Sequence, residues 1–270
     1  MMTMRAFEWL DRRALAAIRF VDAVTSALVE ERVALAAPGV SVIRKRSGEF
    51  VVLDAPGLEE HRSRFEAPPA TPAVGAIPVA IDARPISEGF AARRFSLRLP
   101  RDPDPDHRDR ADSLFRAAVV ELLPSPAYQA AGQAATLRVV VRRTDDRRRV
   151  SGALLRLRPA DGLPTARALT DAVGEALLVV RGAPIASPGP GATTVSDIAA
   201  ELDVLVDPAL ARFVADDALD AARAAAWSQT AGFLDPDDLE ARLGVAAPPA
   251  IAVRLASGAT VTVTLDWSPP

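Results

Sequence analysis

The sequence predicts a mainly β fold: two tandem β-sandwich domains, the second with a short helical insert. Two observations carry that expectation. A phrase of turn glycine, glutamate and apolar strand occurs twice, as Ser47-Gly48-Glu49-Phe50-Val51-Val52-Leu53 and as Val173-Gly174-Glu175-Ala176-Leu177-Leu178-Val179. Each copy follows another β-type run, Ile18-Arg19-Phe20-Val21 in the first case and Leu137-Arg138-Val139-Val140-Val141 in the second. Repetition on this scale marks related modules in tandem. Between and around the copies, short apolar runs alternate with turn signals, the pattern of an all-β sandwich.

Residues 1–13 read as an N-terminal arm, and residues 14–100 as the first sandwich. Its expected strands are Ile18–Val21, Val40–Ile43, Phe50–Leu53, Ile77–Ile81 and Phe95–Leu99, separated by the turns Pro38-Gly39, Ser47-Gly48 and Pro56-Gly57. In the last strand Phe95, Leu97 and Leu99 alternate with Ser96 and Arg98, which gives one apolar face. Residues 101–115 are rich in proline and aspartate. Proline cannot donate to a ladder and charge resists burial, so this stretch reads as an extended, solvated linker.

The second sandwich is expected over 116–270, with Val119–Leu123 leading into it. Thr136–Val141, Ala153–Leu157, the repeated Gly174 phrase and Ile198–Val206 supply its strands. Ile251–Leu255 and Val261–Leu265, joined at Ser257-Gly258, read as an antiparallel hairpin. A helical insert interrupts the pattern over 216–244. Asp217 to Trp227 is rich in alanine, the best helix former, and Leu219, Ala222 and Ala226 fall at helical spacing. A second helix begins at the Asp235 cap with Pro236 at its first position and ends at Gly244.

Composition narrows the chemistry. The chain has 270 residues, 49% of them hydrophobic and 25% charged, which is globular rather than disordered. The formal net charge of −3 offers no global basic field for nucleic acid or anionic lipid. There is no cysteine, which excludes disulfides, thiolate nucleophiles and zinc fingers. The first residues carry Arg5, Glu8 and Asp11 and do not read as a signal peptide, and no run reaches the ~20 apolar residues that cross a bilayer. A cytoplasmic location is expected, compatible with later release inside a particle.

The two copies resemble carboxypeptidase-regulatory-like modules, the transthyretin-like β-sandwiches appended to larger proteins. The first match is carried by Arg19-Phe20-Val21-Asp22-Ala23-Val24-Thr25 and Ser47–Val52, the second by Val150–Leu155 and Thr170–Leu177. Lys45-Arg46-Ser47 departs from the Thr-Asp pair expected before the glycine, and the helical insert has no counterpart in the family. The module type is also similar to accessory proteins, of cap or baseplate kind, in phage-tail-like contractile injection systems. These resemblances imply a non-catalytic structural or adaptor subunit whose partners are other protein subunits. A carbohydrate- or protein-binding accessory module beside an enzyme is the alternative.

The candidate chemical groups fall short of reactive constellations. Asp102, Asp104 and Asp106 are spaced like the start of a calcium loop, but His107 and Ser113 stand where that loop needs glycine and glutamate. His61 and His107 are the only histidines, neither beside a Gly-x-Ser-x-Gly motif, and both read as surface residues. Glu49 and Glu175 occupy equivalent places in separate modules, whereas paired catalytic carboxylates must flank one cleft. The glycines from Gly182 to Gly191 lack the lysine of a phosphate loop. Arg142, Arg143 and Arg147 to Arg149 form a basic cluster interrupted by Asp145 and Asp146, with Tyr128 the only tyrosine in the chain, so a charged hairpin tip is expected rather than a nucleic-acid platform. No catalytic, cofactor or metal residue is assigned, and no enzymatic activity or membrane insertion is expected. Phe7, Trp9, Leu10, Trp227, Phe233 and Trp267 are the candidate contacts for a partner, because large apolar anchors dominate interfaces.

Overall fold

The computed structural model describes residues 14–64, 68–160, 162–182, 197–228, 233–244 and 250–269. It is mainly β, with sixteen strands among the described residues. In chain order these are β1 (Ala16–Asp22), β2 (Val33–Ala36), β3 (Ser41–Arg44), β4 (Phe50–Asp54), β5 (Ile77–Pro85), β6 (Arg93–Leu99), β7 (Ala118–Leu122) and β8 (Ala135–Arg143). Then follow β9 (Arg149–Ser151), β10 (Leu154–Pro159), β11 (Ala166–Leu169), β12 (Glu175–Val180), β13 (Asp197–Leu205), β14 (Arg212–Val214), β15 (Ile251–Ala256) and β16 (Thr260–Trp267). Three α-helices accompany them among the described residues, α1 (Glu59–Ser63), α2 (Leu219–Ser228) and α3 (Pro236–Leu243).

Contacts divide the chain into two units. The first comprises 1–20, 37–81 and 96–120, and the second 21–36, 82–95 and 121–270. The chain passes from one to the other within β1, β5, β6 and β7. The N-terminal strands form a sheet in the order β3-β4-β1-β7 and a three-stranded sheet β2-β5-β6. Period-two alternation sets their buried faces. In β1, Ala16, Ile18, Phe20 and Asp22 are buried, while Arg19 is exposed. Phe20 meets Phe50 of β4 edge to face at 5.5 Å. In β6, Phe95, Leu97 and Leu99 point inward and Ser96 and Arg98 outward, as the alternation requires.

The C-terminal part carries two sheets. One has the order β11-β10-β13-β15, and the other β12-β8-β9-β14 with β16 added to β8. Their shared core collects Leu137, Val139 and Val141 of β8, Leu155 and Leu157 of β10, Leu178 of β12 and Leu202 of β13, all fully buried. Strand β10 is buried on both faces. Its other face turns Leu154 into a second cluster with Leu123, Leu169, Leu205 and Leu239. Leu239 belongs to α3, so the helical insert caps a sheet face that would otherwise expose leucine. Helix α3 starts as its sequence dictates: the Asp235 carboxylate accepts from the amides of Asp237 and Asp238, and Pro236 occupies the first turn.

The repeated phrase is one turn built twice. Gly48 N–H donates to Lys45 O at 3.1 Å and Lys45 N–H to Glu49 O at 2.7 Å. Gly174 N–H donates to Asp171 O at 3.1 Å and Asp171 N–H to Glu175 O at 2.8 Å. Both glycines have positive φ, 88° and 74°, which side-chain-bearing residues resist. The strands that leave the turns, β4 and β12, pair antiparallel with β1 and β8 respectively.

Several expectations are corrected. β15 and β16 do not form a hairpin: β15 pairs antiparallel with β13 and β16 runs parallel to β8, so the Ser257-Gly258 turn carries the chain from one sheet to the other. β7 does not lead into the second module but lies beside β1. The 101–115 segment is not extended. Asp102 bridges to Ser113, Asp102 N–H bonds Asp112 O and Leu114 N–H bonds Asp102 O, closing the segment into a folded loop between β6 and β7.

That loop makes a checkable prediction. Arg108 is exposed, and trypsin should cut there or at Arg110. Because Arg101 holds the backbone carbonyls of Ala111, Ser113 and Arg116, the nicked chain should stay associated. Size exclusion should give one peak and a denaturing gel two bands; two separately eluting folded pieces would contradict the loop.

Candidate functional site

Phe7, Trp9 and Leu10, and the side chain of Trp227, lie outside the described residues. Phe233 is half-buried. Trp267, at 6% exposure, is core rather than anchor. It stacks on Phe213 with centroids 6.2 Å apart and planes 16° from parallel, and the guanidinium of Arg143 lies 4.5 Å from the other ring centre, that of Phe213. The parallel pairing of β16 with β8 turns Trp267 inward, a placement set by the sheet partner and invisible in the sequence.

The basic cluster is real and locally paired. Arg143 and Arg148 meet Asp146, Arg147 meets Asp266 at 2.7 Å, Arg142 meets Asp216 at 3.5 Å, and Arg149 meets Asp216 at 2.9 Å and Glu175 at 3.0 Å. A charged hairpin tip is what the β8–β9 turn presents. Asp146 shows the effect on titration. The hydrogen bond from Arg143 holds its carboxyl well below the usual range, at about 2. A depressed folded pKa means its contribution to stability is present above the unfolded value of 3.8 and is lost as pH falls through about 2. Carbon NMR should place the Asp146 midpoint there, and Arg143→Ala should return it towards ~3.9.

The two glutamates of the repeat each serve their own module. Glu49 accepts from Arg19 across the β1–β4 pair, and that bond lowers its pKa. Glu175 accepts from Arg149, with Arg223 at 3.7 Å and Arg138 at 3.9 Å.

The aspartate triplet spends its carboxylates on backbone. Asp102 Oδ1 accepts from Asp104 N–H at 3.0 Å, and Asp104 Oδ1 from Asp106 N–H at 2.9 Å. Asp102 Oδ2 also lies 2.6 Å from His107 Nδ1. Its pKa is lowered first by the Asp104 amide and then, against burial, by His107. Among the described residues no group of three His, Asp or Glu side chains is arranged to hold a metal. The Gly182–Gly191 stretch lies almost wholly outside the described residues.

His61 departs most from expectation. It sits on α1 and, instead of lying on the surface, is buried at 7% exposure. With Ala14, Leu15, Pro68, Pro100, Arg101, Pro103 and Leu114 it lines a small half-open cleft within the first unit. Arg101 is 8% exposed, Nε donating to Ser113 O at 3.0 Å and Nη2 to Ala111 O and Arg116 O. A five-residue helix with no side-chain cap leaves no sequence signature, which is why its buried histidine was not legible.

No helix among the described residues is long and apolar enough to cross a membrane. No protein-family model matches the sequence, nor does any curated protein. Among solved structures, the Bacillus anthracis TIE protein is similar at a TM-score of 0.25 and 8% identity, over 94% of this chain and 34% of that one. The chain thus spans about a third of that protein's length, and a likeness at this level carries no inference about function.

Proposed function

We propose that this protein is a non-catalytic structural or adaptor subunit of a larger protein assembly. The observation that supports this reading is the state of its sheet edges. Three outermost strands each expose a large aliphatic side chain: Ile43 on β3 at 46%, Val119 on β7 at 58% and Ile251 on β15 at 44%. An edge strand offers unpaired backbone donors and acceptors, and soluble proteins usually blunt such edges with charge or proline. Edge strands with exposed aliphatic side chains suit strand addition by a partner, where main-chain bonds give affinity and alternate side chains give specificity. A phage-tail-like contractile injection particle is the assembly proposed first, on the sequence resemblance alone.

The test places a photo-crosslinking residue at position 43, 119 or 251 in the producing cell. A discrete partner adduct should form at one edge or more, and Ile43→Lys, Val119→Lys or Ile251→Lys at that edge should abolish co-purification of the partner while leaving the melting temperature unchanged. Absence of any adduct at all three edges would overturn the reading.

A further inference from the structure

Strand β16 is the longest edge strand among the described residues, eight residues running parallel to β8. Its burial shows that the flank away from β8 is open. In the ladder Val261 lies opposite Leu137 and Val263 opposite Val139. Leu137 and Val139 are fully buried, whereas Val261 and Val263 pack on the same core and stay half-buried. Matched positions on one face differ in this way when the side of the outer strand meets solvent. On the other face Thr260, Thr262 and Thr264 are exposed.

The main chain fixes which groups face that flank. The carbonyls of Ala259 and Trp267 accept from the amides of Thr136 and Thr144, so the odd-numbered residues of β16 bond β8. Main-chain groups alternate sides along a strand, hence those of Thr260, Thr262, Thr264 and Asp266 point outward. Natural edges are usually guarded by a charge or a proline. β15 carries Arg254 and β7 carries Glu121, but β16 has no proline and no charge before Asp266. Asp266 itself is paired with Arg147 at 2.7 Å.

We propose that β16 is a homodimer interface, pairing antiparallel with β16 of a second copy about a two-fold axis at Val263. In that register Thr262 faces Thr264 of the second copy, and Thr260 faces Asp266. These are the residues whose main-chain groups point outward, so each pair exchanges two main-chain bonds. Val263 meets its own copy in a non-hydrogen-bonded pair, where side chains approach most closely, and Val261 meets Leu265. Polar thus faces polar and aliphatic faces aliphatic, the cross-strand pairs that stabilise a sheet. The strand's single charge stands opposite a threonine rather than opposite itself. One strand supplies both halves, as a two-fold interface requires, and the pairing buries the valines left half-exposed at the core's rim. This edge is distinct from β3, β7 and β15, and the proposal stands whether or not the adaptor reading holds.

Sedimentation velocity of the full chain over a wide range of concentration should show a reversible monomer–dimer equilibrium. Thr262→Lys combined with Thr264→Lys sets like charges opposite each other in both symmetry-related pairs. It should weaken dimerisation about 10-fold or more, and the dilute monomer should melt unchanged because both side chains are exposed. The chain has no cysteine, so a single introduced one can crosslink only between copies. Val263→Cys, at the axis, should give a disulfide-linked dimer under mild oxidation, whereas Thr260→Cys, far from its own copy in this register, should not. If Val263→Cys fails to fold, Thr262→Cys with Thr264→Cys reports the same register from exposed positions. A chain that stays monomeric at every concentration, a dimer indifferent to the two lysines, or equal crosslinking at 260 and 263 overturns the proposal. Adducts at positions 43, 119 and 251 test the adaptor reading separately, so the two can fail independently.

Discussion

Replacing Arg93 by alanine should lower the unfolding free energy by about 3–5 kcal/mol, the cost of breaking a buried, hydrogen-bonded ion pair. Arg93 lies on the inward face of β6, in register with Phe95, Leu97 and Leu99, and is only 1% exposed. Its guanidinium spans three elements. Nη1 donates to Glu121 O at 2.8 Å, Nε to Arg94 O at 3.1 Å, and Nη2 reaches the carboxylates of Asp235 and Asp237 at the start of α3. Arg167 reinforces the junction by bonding Asp237 and Glu240 at 2.9 Å each and Glu121 at 2.8 Å. Without Arg93, two acids at a helix N-terminus and two backbone carbonyls lose this donor, and α3 loses its side-chain tie to β6.

The pH dependence of this variant follows from the carboxylates. Burial opposes ionisation of Asp237, but Arg93 and then Arg167 outweigh it and hold its pKa below 3.8. Burial dominates at Asp235 and raises its pKa above 3.8 despite Arg93. Asp237 therefore adds stability that is present above the unfolded pKa and lost as pH falls through its lower folded value. Asp235 subtracts stability above its folded value, a penalty relieved as pH falls towards 3.8. Removing Arg93 deepens the penalty at Asp235 and leaves Asp237, which is partly exposed, with Arg167 alone to offset its desolvation. The gap between wild type and Arg93→Ala should be widest near neutrality and should narrow in acid, as urea unfolding at several pH values would show. Arg93→Met, which keeps the apolar stem, should lose nearly as much. Equal stability of Arg93→Ala and wild type would show that this junction does not hold the insert.

Gly174→Ala should cost about 2–5 kcal/mol, for two separable reasons. Its φ of 74° is left-handed, which costs a residue with a Cβ roughly 1–2 kcal/mol. The added methyl would also meet Arg149 Cβ at 2.8 Å and the Val150 backbone N at 3.0 Å, a Cβ fixed by its own backbone and a backbone atom, and overpacking of this kind costs about 1–3 kcal/mol. Gly132 supplies the control. Its φ is 70°, but a Cβ there meets nothing within 4 Å, so Gly132→Ala should cost only the conformational part, about 1–2 kcal/mol. Thermal melts of the two variants side by side would separate strain from crowding. Identical losses would show that the β9 backbone yields to the methyl.

Much of this architecture was legible in the amino-acid order. Alternation in β1 and β6 fixed which side chains turn inward, because side chains on a strand repeat every two residues. The Asp235-Pro236 start and Gly244 end of α3 followed from local capping. The twin turns at Gly48 and Gly174 announced themselves by a shared phrase. Short strands left no such mark: β9, β11 and β14 span three or four residues each, too few for a period to show. The cleft was equally hidden, since its residues come from Leu15, His61, Arg101 and Leu114, remote in sequence and individually ordinary.

The sequence by itself determined that the chain is mainly β, where most strands and both longer helices lie, and which face of many strands is apolar. Only the tertiary structure decided who pairs with whom. β15 and β16 carry nearly ideal hairpin patterns yet enter opposite sheets, because a period-two pattern specifies a face and not a neighbour. Trp267 became core and Arg93 became a buried tie for the same reason. The carboxylates that neutralise Arg93 lie 142 and 144 residues further along the chain, and no local pattern can encode a partner at that distance.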